Sequence, residues 1–408
     1  MIERLSIHHF RNLGQVNLSL ARCNLVVGEN GSGKTSLLES VFLLSRGRSF
    51  RHHEPRRYIS HHKDNCVVWA STNFGETASI AIKKQLDTQG KSDTQIRMNQ
   101  LPLPSQSALS FHLPTLLIDP SSMSLLDEGS SNRRQLIDWL AFHVKPDFYQ
   151  AWLNYQRLLK QRNSLLKQRG IRQRLAELTA WDGQLSLYAE QIDVCRRQMF
   201  DQWQLHFANM LGKLLPDYQD KLHLSYHAGF DSSQSLQAIL SARTMADIEL
   251  GYTRVGVHRA DVLVLMTMSA ADEAAQTEAA THILSRGEKK LLITALRLSQ
   301  LTLVCEMITQ QSDQSAAVTH LINPPTVLID DIDAELDAQA IDVLLDAVLS
   351  LPCQIIITSL HDDLHTVIQQ KLKNQLQQSL LDTTTDLPAV AMNSYQMFHV
   401  KQGEFVAV

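Results

Sequence analysis

Eight residues, GENGSGKT at Gly28 to Thr35, constrain this 408-residue chain more than any other stretch, because they fit G-x-x-x-x-G-K-[ST] in the right context. The apolar run Leu25-Val26-Val27 reads as a strand feeding into them, and Ser36-Leu37-Leu38-Glu39 begins a helix behind them. Gly28, Gly31 and Gly33 let backbone N–H groups turn inward and approach phosphate oxygens with no Cβ in the way. Lys34 supplies a point charge for β- and γ-phosphates, the Thr35 hydroxyl suits Mg²⁺, and the helix N-terminus favours an anion. Glu29, Asn30, Ser32 and Ser36 complete the candidate loop. A chance glycine-rich turn lacks this order of strand, turn and helix.

Two later motifs extend the reading. In TVLIDDIDAELD, Thr326 to Asp337, a buried-strand pattern ends in the adjacent carboxylates Asp330 and Asp331. Ligands of a parallel sheet collect at the carboxyl ends of its strands, so Asp330 is assigned to Mg²⁺ and Asp331 to polarising an attacking water. In LSRGEKK, Leu284 to Lys290, Ser285 and Gly287 can present a hydroxyl and backbone N–H groups at the start of a helical run, Leu291 to Leu301. Taken alone, the first motif is a strand end with a solvated turn and the second an ordinary polar N-cap. In this order behind Lys34, the three resemble an ABC-type ATPase head, in which one protomer's signature loop (here Ser285, Gly287 and Glu288) completes another's phosphate site. Many such ATPases carry Glu where Asp331 stands, and the shorter acid implies slow turnover. Ala334-Glu335-Leu336-Asp337 resembles the loop that bridges protomers in those proteins.

Further pieces are more specific. They are LSIHHFRNL at Leu5 to Leu13, GRSFR at Gly47 to Arg51, NRRQLID at Asn132 to Asp138 and LKQRNSLLK at Leu159 to Lys167. GVHRAD at Gly256 to Asp261, QIIITS at Gln354 to Ser359 and MFHVKQG at Met397 to Gly403 complete the set. With them the chain resembles, over nearly its whole length, the RecF family, relatives of the SMC-type ATPases without the long coiled coil. It departs from that family's pattern at Val257, where Pro is usual, at Arg286 and Glu288, where glutamines are usual, and at Lys290, where Arg is usual.

The resemblance implies an α/β fold: a P-loop ATPase head of the ABC type, with mixed sheet, β-rich and helical lobes and an inserted α-helical arm. It implies ATP and Mg²⁺ as ligands, with Lys34, Asp331 and Ser285 catalytic and Arg11 and Asn12 at the nucleotide. It also implies a homodimer that forms on ATP, binds double-stranded and gapped DNA, and helps load a recombinase at gaps. The partners it implies are the mediators RecR and RecO, and slow hydrolysis would release the DNA.

The formal net charge of −4 excludes a globally basic nucleic-acid coat, but a local basic face is enough to displace counterions from phosphates. Arg46, Arg48, Arg51, Arg56, Arg57 and Lys63, interleaved with histidines, form one candidate; the resemblance turns it toward DNA phosphate contact by Arg48, Arg51, Arg56 and Arg57. A second is Arg157, Lys160, Arg162, Lys167, Arg169, Arg172 and Arg174, set against leucines 158, 159, 165 and 166; a solvated helix face explains it equally well. The five cysteines are scattered singly, as reduced structural thiols are. No apolar stretch approaches a membrane span, and MIERLSIHHFRN lacks a signal-peptide core, so a cytoplasmic protein with no membrane partner is expected.

The period of apolar residues divides the chain into an ATPase lobe over 1–110, a helical arm over 111–220, and a second ATPase lobe over 221–408. His361 and Thr358 both stand near the place where related heads put a γ-phosphate histidine, and the sequence does not choose between them. Two rivals carry some of these motifs. A transporter-coupled ATPase would share all three but usually has a shorter helical insert, and a small-molecule P-loop kinase would lack the signature. Ser285→Arg separates the kinase from the dimeric head. In the head it abolishes ATP-driven dimerisation in sedimentation while the monomer still binds nucleotide; retained dimerisation would overturn the trans-site reading.

Overall fold

A computed structural model describes residues 1–74, 76–103, 105–268, 276–313, 323–381 and 394–408. The chain forms two compact units, Met1–Ser122 with Cys305–Val408, and Met123–Val304.

The first unit is layered. One sheet has the strand order Glu404–Ala407, Tyr395–Lys401, Cys23–Val27, Gln354–Ser359, Thr326–Ile329, Thr115–Ile118. All neighbours in it are parallel except the hairpin of its last two chain segments. Its central strands are buried along their length, which explains their unbroken apolar sequences. The register aligns Val27 with Ser359, and Ile329 with both Ile357 and Ile118, so these strands end on one edge. A second, antiparallel sheet runs from Leu13–Ser19 through Ile2–Phe10, Asn65–Phe74, Glu76–Leu86 and Ser92–Met98 to Leu101–Pro102.

The helix Lys34–Arg46 lies in the hydrophobic core between these sheets. Leu37, Leu38, Val41, Leu43 and Leu44 join Ile2, Leu5 and Ile7 from one sheet and Val26, Leu328 and Ile356 from the other. The buried amide of Gln354 ties the layers at the far edge: it accepts from Ile2 N–H at 2.9 Å and donates to Ile2 O at 2.7 Å.

The second unit is built on Ser130–Val144, Pro146–Leu166, the 40-residue helix Leu175–Leu214 and Leu236–Leu250, with a three-stranded antiparallel sheet of Leu222–His227, Asp261–Met268 and Gln276–Ala279. This unit is wider than the expected arm at one end and shorter at the other. Strand Thr115–Ile118 pairs with Thr326–Ile329, so 111–122 belongs to the first unit. The segment 221–304 joins the arm because its strands pair with one another and its last helix bonds back: Trp203 Nε1 donates to Ser299 Oγ at 2.8 Å, and Gln300 Nε2 to Leu136 O at 2.7 Å.

The expected membrane character is corrected. Residues 269–275, 314–322 and 382–393 lie outside the described residues. Beyond the first of these, 276–283 is strand and short helix, and the signature helix runs from Arg286 to Asp313. Its stretch Arg286–Gln310 is long enough to cross a bilayer and contains an 18-residue window of mean hydropathy 1.6. The expectation that no stretch approaches a span therefore fails on length and composition. Its most apolar window is 67% buried inside the protein, which is the character of a core helix.

The supposed basic helix face is also corrected at Arg162. This guanidinium is buried, bonded to Asp182 at 2.5 Å, Asp247 at 2.8 Å and Thr253 Oγ1 at 2.7 Å, so it joins three segments of the arm instead of facing solvent. Burial, ahead of the neighbouring Asp247 charge, holds the Asp182 carboxyl above the usual carboxylate range. Arg162→Ala would strand two buried acids and is expected to cost about 3–5 kcal/mol in chemical denaturation, while the exposed Arg157→Ala stays within about 0.5 kcal/mol.

Candidate functional site

The loop between strand Cys23–Val27 and helix Lys34–Arg46 is shaped by close approach. A Cβ on Gly28 would lie 2.4 Å from Val400 O, and Gly31 and Gly33 have φ of 78° and 124°, so all three positions call for glycine. Gly33 is the helix N-cap and makes no side-chain cap bond, which leaves the first helical N–H groups for an anion. Asn12 fastens the loop, donating to Gly31 O at 3.1 Å and accepting from Ser36 Oγ at 2.8 Å.

Around this loop is a cavity of about 480 Å³, lined by Arg11, Asn12, Glu29, Asn30, Gly31, Gly33, Lys34, Thr35, Ser36, Arg51, Arg57, Ile59, His61 and Asp331. Gly28 backs onto Val400 and Ser32 is buried, so these two shape the loop without lining the cavity. Lys34 Nζ donates to Gly28 O at 2.7 Å and stands 3.6 Å from Asp331 Oδ1.

Asp330 sits behind Thr35, which donates to its Oδ1 at 3.0 Å. Thr358 also donates to that oxygen, at 2.9 Å, and accepts from Asp331 N–H at 2.7 Å. One hydroxyl thus holds both acids. Burial, then the Asp331 charge, pushes the Asp330 carboxyl up to about 6. Asp331 has φ 46°, a left-handed conformation unusual for a side-chain-bearing residue, and its buried Oδ1 has no hydrogen-bond partner among the described residues. The hard oxygens of Thr35 and Asp330, beside a loop of inward N–H groups, are a donor set that fits Mg²⁺ with a polyphosphate.

Other expected residues fall differently. Arg11 lines the cavity, but its guanidinium is engaged: Nε and Nη2 donate to Glu39 at 2.9 and 2.8 Å, and Nη1 to Arg57 O at 2.7 Å. Its role here is to hold the wall of the cavity. Arg51 and Arg57, expected at DNA, line this same cavity, whereas Arg48 and Arg56 are exposed and do not.

The signature loop lies in the second unit, where Ser285 and Glu288 form a reciprocal cap. Ser285 N–H donates to Glu288 Oε2 at 2.7 Å, and Glu288 N–H to Ser285 Oγ at 3.3 Å. Tyr218 donates to Glu288 Oε1 at 2.6 Å, so the Glu288 carboxylate is occupied in capping and not presented outward. Ser285 and Gly287 remain exposed, and a Cβ on Gly287 would meet nothing within 4 Å.

Sequence reasoning missed Glu39, Asp333, Ile59 and His61. Asp333 Oδ2 accepts from Ser359 Oγ at 2.6 Å and Leu360 N–H at 2.8 Å, linking the acidic loop to the neighbouring strand end. A buried Glu inside the phosphate-loop helix was the available signal for Glu39, since such a charge demands a partner.

The family model described as RecF/RecN/SMC N terminal domain matches residues 1–381. Proteins named DNA replication and repair protein RecF are similar to the chain. The one from Acinetobacter baumannii is 38% identical over 405 residues, covering 99% of this chain and 98% of that protein. The one from Shewanella woodyi is 32% identical over 403 residues, covering 98% and 96%. Among solved structures, one described as the recombination mediator protein RecF with ATP in the RecFOR pathway superposes with TM-score 0.73 at 21% identity, covering 100% of this chain and 97% of that one. An Smc head domain from Pyrococcus furiosus gives 0.51 at 16% identity, covering 100% and 95%. These two establish the likeness of fold.

Thr358→Val removes the bridge between the acids but leaves the phosphate loop untouched. Steady-state turnover is expected to fall about tenfold or more while nucleotide affinity changes by less than about threefold, and Thr358→Ser restores turnover. Equal losses of both in Thr358→Val would mean that the hydroxyl serves the loop's architecture instead.

Proposed function

The chain belongs to the RecF family of DNA replication and repair proteins, and from that premise we propose that it is an ATP-gated DNA clamp of recombinational repair. The observation that carries the reading is the meeting of Lys34, Thr35 and Asp331 at one polyphosphate-sized cavity on the carboxyl edge of the parallel strands, with Asp330 bonded behind Thr35. Lys34 swings between loop carbonyl and phosphate, and the loop N–H groups hold the anion. Thr35 and Asp330 would hold Mg²⁺, which when bound offsets charge on the phosphate oxygens. Asp331 orients and polarises the attacking water, its carboxylate aimed toward the Lys34 ammonium.

Two such chains close on ATP, with Ser285 and Gly287 of one presented to the phosphates held by the other. Binding energy for ATP is then spent on a monomer–dimer equilibrium. The exposed Arg48 and Arg56 supply phosphate contacts to double-stranded or gapped DNA, and hydrolysis reopens the clamp. The pathway named for the ATP-bound structural relative supports RecR and RecO as partners; loading of a recombinase and a cytoplasmic location belong to the same proposal. The transporter-coupled alternative is not favoured, since the repair-protein likeness spans nearly the whole chain, helical arm included.

Hydrolysis and sedimentation measured together, with and without duplex DNA, test the clamp. Wild type is expected to dimerise on ATP and hydrolyse slowly, faster with DNA, and Lys34→Met to do neither. A wild type that stays monomeric and turns over indifferently to DNA would end this reading.

A further inference from the structure

Three of the family-specific sequence pieces meet in the second unit. Asp261 of GVHRAD takes a two-pronged bond from Arg133 of NRRQLID, at 2.9 and 2.8 Å. Arg134 donates to Ala260 O at 2.9 Å, and the buried Arg196 donates to Asp138 and to Val257 O, each at 2.8 Å. His258 is fixed between Tyr155 Oη at 2.7 Å and Thr253 O at 3.1 Å, and Thr253 is itself bonded by Arg162 of LKQRNSLLK. Burial is the main reason that the His258 imidazole is held down at about 4, so it is neutral near pH 7 and lends no charge.

These bonds frame a cavity of about 190 Å³. Arg134, Gln135 and Asp138 line it from one helix, Trp152 and Tyr155 from the next, and Arg196 from the long helix. It exceeds the roughly 150 Å³ that accommodates a benzene ring, so it takes one side-chain-sized group, whereas a nucleotide needs the larger cavity of the first unit.

The charge balance decides the ligand's sign. Arg133 occupies Asp261 and Arg196 occupies Asp138; Arg134 feels the attraction of both acids but, among the described residues, is hydrogen-bonded only to a carbonyl. Burial first, then repulsion from Arg196, keeps the Arg134 guanidinium below its usual range while it stays cationic. A half-buried cation in this position is stabilised by an incoming anion.

We propose that this cavity is an anchor pocket for an acidic side chain of a protein partner, with Arg134 as the counter-charge and Trp152 and Tyr155 as walls for its apolar stem. Trp, Tyr and Arg in a recessed, desolvated pocket are the composition of an interface hot spot. A nucleic-acid phosphate fits less well, because it is esterified on both sides and needs a groove or a convex basic face, not a recess of this size. The inference is independent of the ATP-gated clamp, since no residue of the phosphate-loop cavity takes part.

The test uses the full chain saturated with ADP and Mg²⁺, so that the phosphate loop is filled. Saturation-transfer NMR is recorded on N-acetyl-L-glutamate α-N-methylamide, with N-acetyl-L-glutamine α-N-methylamide as the neutral control and inorganic phosphate as competitor. Transfer is expected to the glutamate but not the glutamine, to be lost in Arg134→Gln, and to weaken at least about threefold in Gln135→Glu. Gln135 is exposed and, among the described residues, bonds within its own helix, so Gln135→Glu tests the charge without disturbing the packing. Transfer that persists unchanged in both variants, or none in the wild type, would overturn the proposal. So would displacement by phosphate at concentrations below the glutamate's own, which would assign the pocket to a phosphate-bearing ligand.

Discussion

Everything at the nucleotide site depends on burying the helix Lys34–Arg46 between two sheets. A helix covered on both sides has no solvent-facing stripe for its polar residues, and each must find a partner inside. Ser36 reaches Asn12, Ser45 donates to Leu113 O at 2.6 Å, and Glu39 is gripped by the Arg11 fork and the Ser49 hydroxyl. That last grip joins the end of the first strand and the turn after the helix to the helix itself. Arg11 then donates onward to Arg57 O, so the loop carrying Arg57, Ile59 and His61 is hung on the same carboxylate. The internal pairing that makes burial tolerable is also what assembles one wall of the cavity.

The phosphate loop, the acidic pair and the central strands were legible because their constraints are local. A glycine at φ 124°, an N-terminal Lys on a helix and an apolar run ending in acids leave their mark in consecutive residues. Arg51, Arg57 and Arg162 were not legible. Hydropathy reads a guanidinium as a surface group, yet Arg162 is buried by Asp182 and Asp247, 20 and 85 residues away. The Ser285–Glu288 cap is a local S-x-x-E signal that was present in the sequence. It is the ordinary polar N-cap that the motif offers when taken alone, and a Glu in place of the family's Gln keeps the reciprocal bond. The extent of the arm was hidden for another reason: Trp203–Ser299 and Gln300–Leu136 are long-range contacts that no periodicity displays.

The acidic pair shows how much the surroundings add to two adjacent residues. In a bare strand end Asp330 and Asp331 would repel and point to opposite faces. Here the left-handed turn at Asp331 rotates its side chain toward Lys34, while Thr35 and Thr358 hold Asp330 behind. The conformational strain is offset by the Asp331 N–H bond to Thr358 and by the Lys34 charge. Asp in this place is also among the residues that tolerate positive φ best, which gives the shorter acid a structural rationale in addition to any effect on turnover.

Both units use arginine–carboxylate forks for the same purpose. Arg11–Glu39 fixes a loop against the nucleotide cavity, and Arg133–Asp261 fixes the end of the Val257–Arg259 turn of the arm, with Arg196 bridging Asp138 and Val257 O by single bonds. Such pairs add little net stability when buried, because desolvation offsets most of the attraction. Their geometry is another matter: a planar two-pronged bond sets direction as well as distance, and a loop tied by it cannot slide along its support. Apolar packing, which has no preferred direction, would hold these loops in place without fixing which way their side chains face. The pattern therefore separates two jobs within each unit, with leucine and isoleucine contacts supplying stability and the half-buried forks fixing the loops on which Arg57, His61, His258 and Arg259 are carried.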